Sequence, residues 1–318
     1  MRRIVVLTSG GDAPGMNAAV RAVVRRALHA GLEVWGARRG YWGLVRWDVQ
    51  PMDASSVADI IHRGGTVLHT GRCEAFLDAT VQERAARRLK EEGVDGVVVI
   101  GGDGSLRGAL ALEARGVAAV GVPGTIDNDL YGTERTIGFD SAVNTVVQAI
   151  DKIRDTATAH ERTFVVEVMG RQAGFIALHA GLADGAESII LPEVGFEVEG
   201  VVERLRRGRE RGKLYSIIVV AEGAASGYDV ARRLAEYGIE ARVTVLGHVQ
   251  RGGSPSAYDR WLAARLGAAA VDALVAGRHG MMVGVRGEAI VETPLEQVVA
   301  ARPALDRSIW ELAQVLSS

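Results

Sequence analysis

The feature that most constrains this 318-residue chain is a repeated alternation of short apolar runs with longer segments of helical spacing. The runs "RIVVLTS" (3–9), "LEVWGA" (32–37), "DGVVVIG" (95–101), "VAAVGVP" (117–123), "TFVVEVM" (163–169), "LYSIIVVA" (214–221) and "ARVTVLG" (241–247) have strand length. Most are apolar at consecutive positions, as strands covered on both faces are. Between them, 15–30, 80–92, 140–159, 199–211, 228–237 and 257–276 carry helical periodicity. This alternation predicts an α/β fold with mostly parallel sheets and helices on both faces. Hydrophobic residues make up 48% of the chain, enough for a large core, and its length predicts more than one compact lobe.

Composition narrows the partners. A formal net charge of −2 gives no electrostatic case for nucleic acid or an anionic membrane. The single cysteine, Cys73, excludes an internal disulfide framework and a cysteine-based zinc cluster. The start "MRRIVVLTSGG" reads as a strand rather than a signal peptide, and no later run reaches membrane-spanning length. A cytoplasmic location is the expectation. Lysine occurs only at 90, 152 and 213, so arginine supplies the rest of the 37 basic residues and an arginine cluster is weaker evidence of a site.

In parallel sheets, ligands bind in loops beyond the carboxyl ends of the strands. Six such loops here collect glycine, acids and arginine, while the strands are nearly uncharged. "GGDAPGMN" follows 3–9 and offers backbone N–H groups and a helix start suited to an anion; a tight turn alone would also account for its glycines. No G-K-[ST] follows, so it is not the lysine-bearing phosphate loop. "GGDGS" (101–105) brings backbone close to a ligand and presents Asp103, the kind of lone carboxylate that bridges Mg²⁺ to nucleotide phosphates. "TIDND" supplies Asp127 and Asp129, which alternate if the chain is extended there. Either could accept the proton of a hydroxyl attacking phosphorus, and an Asx-rich surface turn is the plainer reading of the segment alone. "MGRQAG" adds Arg171, "HVQRGGSP" adds His248 and Arg251, and Arg162, Glu222 and Arg242 complete a set suited to a phosphorylated, hydroxyl-rich ligand.

"LTSGGDAPGMNAAVR", "VVIGGDGS", "PGTIDND", "TIGFD", "VEVMGRQAG" and "VLGHVQRGGSP" together resemble the signature segments of the bacterial ATP-dependent 6-phosphofructokinase family, in order and over essentially the whole chain. The resemblance implies two Rossmann-like three-layer α/β/α lobes. Residues 1–138 with 251–300 would bind ATP, and 139–250 with 301–318 would bind fructose 6-phosphate. It implies that Gly11, Arg72, Cys73, Gly102, Asp103, Gly104 and Ser105 hold ATP, with Asp103 on Mg²⁺. Asp127 would be the base for the sugar's 1-hydroxyl, and Thr125, Asp129, Arg72 and Arg171 would line the transferring phosphoryl group. Thr125, Ile126, Asp127, Met169, Gly170, Arg171, Glu222, His248 and Arg251 would hold fructose 6-phosphate. Arg162 and Arg242 would reach its 6-phosphate from a neighbouring subunit of a homotetramer.

Pyrophosphate-using relatives carry Asp at the position of Gly104 and Lys at that of Gly124, so glycine at both favours ATP by leaving room for the α-phosphate. The resemblance also implies an effector site for ADP and phosphoenolpyruvate at Arg21, Arg25, Asp59, Arg154, Gly185, Glu187, Arg211 and Lys213. Ala54, Tyr215 and Cys73 depart from the family's residues, and the Glu161–Arg162 pair that can exchange places between states is kept. A pyrophosphate-dependent or NAD-kinase-like enzyme, or a catalytically silent nucleotide-binding paralogue, are the competing readings; the silent one is opposed by the presence of Asp103, Asp127 and Arg171.

Overall fold

The computed structural model describes residues 1–317. In chain order the elements begin with β1 (Arg3–Ser9), α1 (Met16–His29), β2 (Glu33–Ala37), α2 (Tyr41–Arg46), β3 (Val49–Met52), α3 (Ala79–Glu91), β4 (Gly96–Gly101) and α4 (Asp103–Glu113). There follow β5 (Ala119–Pro123), α5 (Phe139–His160), β6 (Thr163–Val168), α6 (Phe175–Ala183), β7 (Ser188–Ile190), α7 (Val198–Glu210) and β8 (Ser216–Ala221). The chain ends with α8 (Gly227–Ala235), β9 (Ala241–Val245), α9 (Ala257–Val275), β10 (Met281–Arg286), β11 (Ala289–Pro294), α10 (Leu295–Ala300) and α11 (Arg307–Leu316).

Two compact units result: Met1–Asp140 with Arg251–Pro303, and Ser141–Gln250 with the segment from Ala304 onward. The first holds a seven-stranded sheet of order β11-β10-β5-β4-β1-β2-β3, parallel except where β3 and β11 pair antiparallel at its two edges. The second holds a four-stranded parallel sheet of order β7-β8-β6-β9. Strands β4 and β8 are buried along their whole length, and β1 beyond its first residue, because helices cover both faces. That is why these strands read as unbroken apolar runs. In the first unit, Val5, Leu7, Val97 and Val99 pack with Leu106, Ala109 and Leu112 of α4. In the second, Val165, Ile218 and Val220 pack with Val201, Val202 and Leu205 of α7 and with Val230 and Leu234 of α8.

The predicted α/β architecture holds, and each expected strand and helix lies within a few residues of an observed one. Several of the elements not anticipated, β3, β11, α6 and α4, have weak patterns for physical reasons. Strand β3 is a four-residue edge carrying Pro51, and β11 is an edge strand with no buried position. Helix α6 is apolar around most of its circumference, so it shows no period. Helix α4 starts inside "GDGS", where glycine disguises it.

In the first sheet β1 is flanked by β4 on one side and β2 on the other, so the crossovers leave in opposite directions. A crevice therefore opens at its carboxyl edge between the loops after β1 and β4. In the second, β6 lies between β8 and β9, which gathers the loops after β6, β8 and β9 at one edge.

Candidate active site

The first unit brings the loops after β1, β4 and β5 to one sheet edge. Gly11 is held close to Arg251: a Cβ on Gly11 would stand 2.5 Å from Arg251 Nη1, which itself donates to the Asp12 carbonyl at 3.0 Å. Arg251 thus belongs to the glycine loop after β1. Gly102 precedes α4, so the backbone N–H groups of Asp103 and Gly104 have no partner within the helix at its first turn, while the Ser105 N–H donates to the Gly102 carbonyl at 2.9 Å. Ser105 is buried, and its carbonyl accepts from the Tyr41 hydroxyl at 2.6 Å. Burial pushes that phenol well above its ordinary pKa, so it stays a donor. A Cβ at Gly104 would meet nothing, and the space there is open. Gly124 differs from expectation. A Cβ there would meet Ile100, Met16 and Gly101 at 3.1–3.4 Å, so packing, rather than room for a ligand, explains this glycine.

Asp103 is the one acid on the loop after β4. Arg107 Nε lies 3.1 Å from its Oδ2, and Arg302 Nη1 lies 3.1 Å from its Oδ1, an ion pair by distance without an aligned hydrogen bond. Burial draws the carboxyl upward, but the two guanidiniums outweigh it and hold it below the usual carboxylate range. Among the described residues no group of three or more His, Cys, Asp or Glu side chains could cage a metal. A single ionised carboxylate at a glycine-rich helix start fits Mg²⁺, which is held by one or two carboxylates plus phosphates and water.

The loop after β5 is not extended, as the alternation of its acids predicted. Asn128 takes a left-handed conformation (φ 52°), which turns the chain between Asp127 and Asp129. The amide of Asn128 holds that turn. Its Nδ2 donates to the Glu134 carbonyl at 3.1 Å, and its Oδ1 accepts from the Thr136 N–H at 2.9 Å. Thr136 Oγ1 donates to the Thr125 carbonyl at 2.6 Å. The Asp127 N–H donates to Thr125 Oγ1 at 3.2 Å. Asp127 is only 1% exposed, Thr125 and Ile126 are buried, and Asp129 is partly exposed. Asn128 and Thr136 are the residues that sequence reasoning missed here. The quoted "TIGFD" was their signal, since its Ile137 N–H and carbonyl bond Pro123 and Thr125. Arg72 is exposed on the loop before the turn Glu74–Leu77, where Cys73 packs against the core and burial pushes its thiol up.

In the second unit, Met169, Gly170 and Arg171 follow β6. Glu222 Oε1 accepts from both the Gly170 N–H (3.2 Å) and the Arg171 N–H (2.9 Å). Buried Gln250 accepts from the Met169 N–H at 3.3 Å. A Cβ on Gly223 would land on the Arg171 carbonyl oxygen, so the loops after β6 and β8 touch backbone to backbone. Gln250 and Gly223 were not anticipated individually, although Gln250 lies inside the quoted "HVQRGGSP" and Gly223 follows Glu222. Arg171 and His248 are exposed.

Arg162 and Arg242 lie at the other edge. Arg162 precedes β6, and Arg242 pairs in register with Phe164 near its start. At a rise of about 3.3 Å per residue they stand about 20 Å from Met169–Arg171 of the same chain. Arg242 is exposed and pairs with Glu240 at 3.0 Å. Of the expected effector residues, Arg21 and Arg25 are on α1 and Asp59 is exposed on a loop of the first unit. In the second, buried Glu187 contacts Lys213 Nζ and the Ile217 N–H, Gly185 is left-handed, and Arg211 caps α7. Arg154 reaches Asp184 and the Tyr215 hydroxyl, and that hydrogen bond lowers the phenol's pKa. No helix among the described residues is long and apolar enough to cross a membrane.

Parallel sheets with glycine, acid and arginine gathered in their carboxyl-edge loops define an α/β class that handles anionic ligands. The chain belongs to the phosphofructokinase family: the family model described as "Phosphofructokinase" matches residues 3–274. The ATP-dependent 6-phosphofructokinase of Listeria welshimeri is 58% identical over 318 residues, covering 100% of both chains. A phosphofructokinase structure from Saccharomyces cerevisiae superposes with a TM-score of 0.89 at 37% identity, over 99% of this chain and 47% of that one. A pyrophosphate-dependent phosphofructokinase from Marinobacter aquaeolei gives 0.85 at 25% identity, over 97% and 86%.

Proposed function

We propose that this protein transfers the γ-phosphoryl group of ATP to the 1-hydroxyl of fructose 6-phosphate, releasing ADP and fructose 1,6-bisphosphate. The observation that carries the chemistry is Asp127, a carboxylate 1% exposed on a turn fixed by Asn128 and Thr136. Held there, Asp127 accepts the hydroxyl proton as the oxygen attacks phosphorus, and Asp129 supports it electrostatically. Gly11, Gly102, Gly104 and Ser105 cradle the nucleotide phosphates with backbone donors, beside Arg72 and Cys73. Arg72, Thr125 and Arg171 offset the charge that spreads over the phosphoryl oxygens. Asp103 holds Mg²⁺, which when bound neutralises phosphate charge.

Thr125, Ile126, Met169, Gly170, Arg171, Glu222, His248 and Arg251 position the sugar phosphate. Glu222 keeps Oε2 for a sugar hydroxyl, since Oε1 serves the Gly170 and Arg171 amides. The separation of Arg162 and Arg242 from Met169–Arg171 favours their reaching the 6-phosphate of a neighbouring subunit's site in a homotetramer. Open space at Gly104 favours ATP over pyrophosphate. Arg21, Arg25, Asp59, Arg154, Gly185, Glu187, Arg211 and Lys213 form an effector site for ADP and phosphoenolpyruvate in a cytoplasmic enzyme. The test is steady-state turnover of fructose 6-phosphate with each donor, titrated with and without the two effectors. ATP should exceed pyrophosphate by at least about a hundredfold in kcat/KM. Faster turnover with pyrophosphate, or none that depends on the sugar, overturns the reading.

A further inference from the structure

Asp103 already carries a cation made of protein. Its two guanidiniums are not equivalent. Arg107 sits one turn along the same helix and also donates from Nη2 to the Val299 carbonyl at 2.7 Å, which ties α4 to α10. Arg302 comes from the extended segment after α10, one residue before the chain leaves this unit at Pro303. Its guanidinium makes no hydrogen bond or ion pair among the described residues other than that with Asp103, 3.1 Å away. The Arg302 side chain is 55% exposed against 16% for Asp103, so the arginine can depart while the carboxylate stays. Asp129 adds a second negative charge toward the same guanidinium.

We propose that Arg302 is a resident counter-ion of the metal site, holding Asp103 Oδ1 until a metal–nucleotide complex displaces it. This rests on the reading of Asp103 as the carboxylate that holds Mg²⁺. Without the guanidinium, an ionised Asp103 near Asp129 would repel the polyphosphate of a metal-free nucleotide. With it, that repulsion is cancelled, at the cost that metal and arginine compete for one oxygen. Arg302 therefore matters to nucleotide binding when metal is absent and becomes neutral or mildly opposing when metal is present. Arg302 is in this sense a positioning residue for charge, with no bond to the reacting atoms.

The test is calorimetric titration of the non-hydrolysable analogue AMP-PNP, without sugar, in saturating Mg²⁺ and in EDTA. Wild type, Arg302→Gln, Arg302→Lys, Asp103→Asn and the double variant Asp103→Asn/Arg302→Gln are compared, with folding checked by thermal melting. Arg302→Gln should raise the ratio of metal-bound to metal-free affinity by about five- to tenfold, an interaction between partly exposed charges. Arg302→Lys should restore most of it, and the effect should vanish in the Asp103→Asn background. An unchanged ratio in Arg302→Gln, or equal weakening with and without metal, overturns the counter-ion role. If Asp103→Asn itself leaves the metal dependence of binding unchanged, the metal-holding role of Asp103 falls, and the counter-ion role with it.

Discussion

Where β5 ends, side-chain hydrogen bonds fix a carboxylate inside the first unit; where β6 ends, the second unit fixes a backbone and leaves an arginine exposed. Asn128 and Thr136 brace the turn that carries buried Asp127, with each polar group of the Asn128 amide used. In the other loop the partners of Glu222 and Gln250 are the N–H groups of Met169, Gly170 and Arg171, while the Arg171 side chain remains exposed. The difference follows from the work proposed for each. A proton acceptor needs fixed geometry within hydrogen-bond reach and little water. An arginine that meets a phosphate needs an anchored base and a long side chain able to reach.

The largest expected effect breaks the first loop at its chemistry. Asp127→Asn should lower kcat by about 10²–10⁴-fold, read by a coupled assay of ADP release. Next comes the second loop's backbone. Gly223→Ala puts a methyl on the Arg171 carbonyl and should raise KM for fructose 6-phosphate about ten- to a hundredfold. A normal KM would mean that the contact between the two backbones does not set Arg171. Asn128→Ala removes the amide that braces the first turn and should cost about 1–3 kcal/mol of stability. Thermal melting checks it, and an unchanged Tm would separate the turn from its hydrogen bonds. Smallest is Gly104→Ala, at the first turn of α4 where a Cβ meets nothing. It should stabilise by about 0.5–1 kcal/mol while raising KM for ATP, and opposite signs in the two measurements would sharpen the case for ligand room there.

The same contrast governs what was legible in the sequence. Buried parallel strands such as β4 and β8 declare themselves, because covering both faces leaves them almost wholly apolar, with Ser216 at the start of β8 the one polar side chain between them. The acids and glycines at their carboxyl ends stand out against that background. The residues that hold them do not. Asn128 between two aspartates reads as ordinary turn composition, and its role depends on Thr136 and Glu134 folding back beside it. The expected alternation of Asp127 and Asp129 failed for this reason: a left-handed residue separates them. Gly124 looked like space for a ligand and is a packing glycine against Ile100 and Met16. Arg302 stands far from Asp103 in sequence, in a segment with no pattern, and only the fold brings the two together.

The most direct measurement is titration of fructose 6-phosphate into Asp127→Asn, set beside the variant's turnover. If Asp127 is the proton acceptor, the sugar's Kd should stay within about threefold of wild type while kcat collapses. A Kd that weakens in step with kcat would make Asp127 a binding or structural residue and contradict the account.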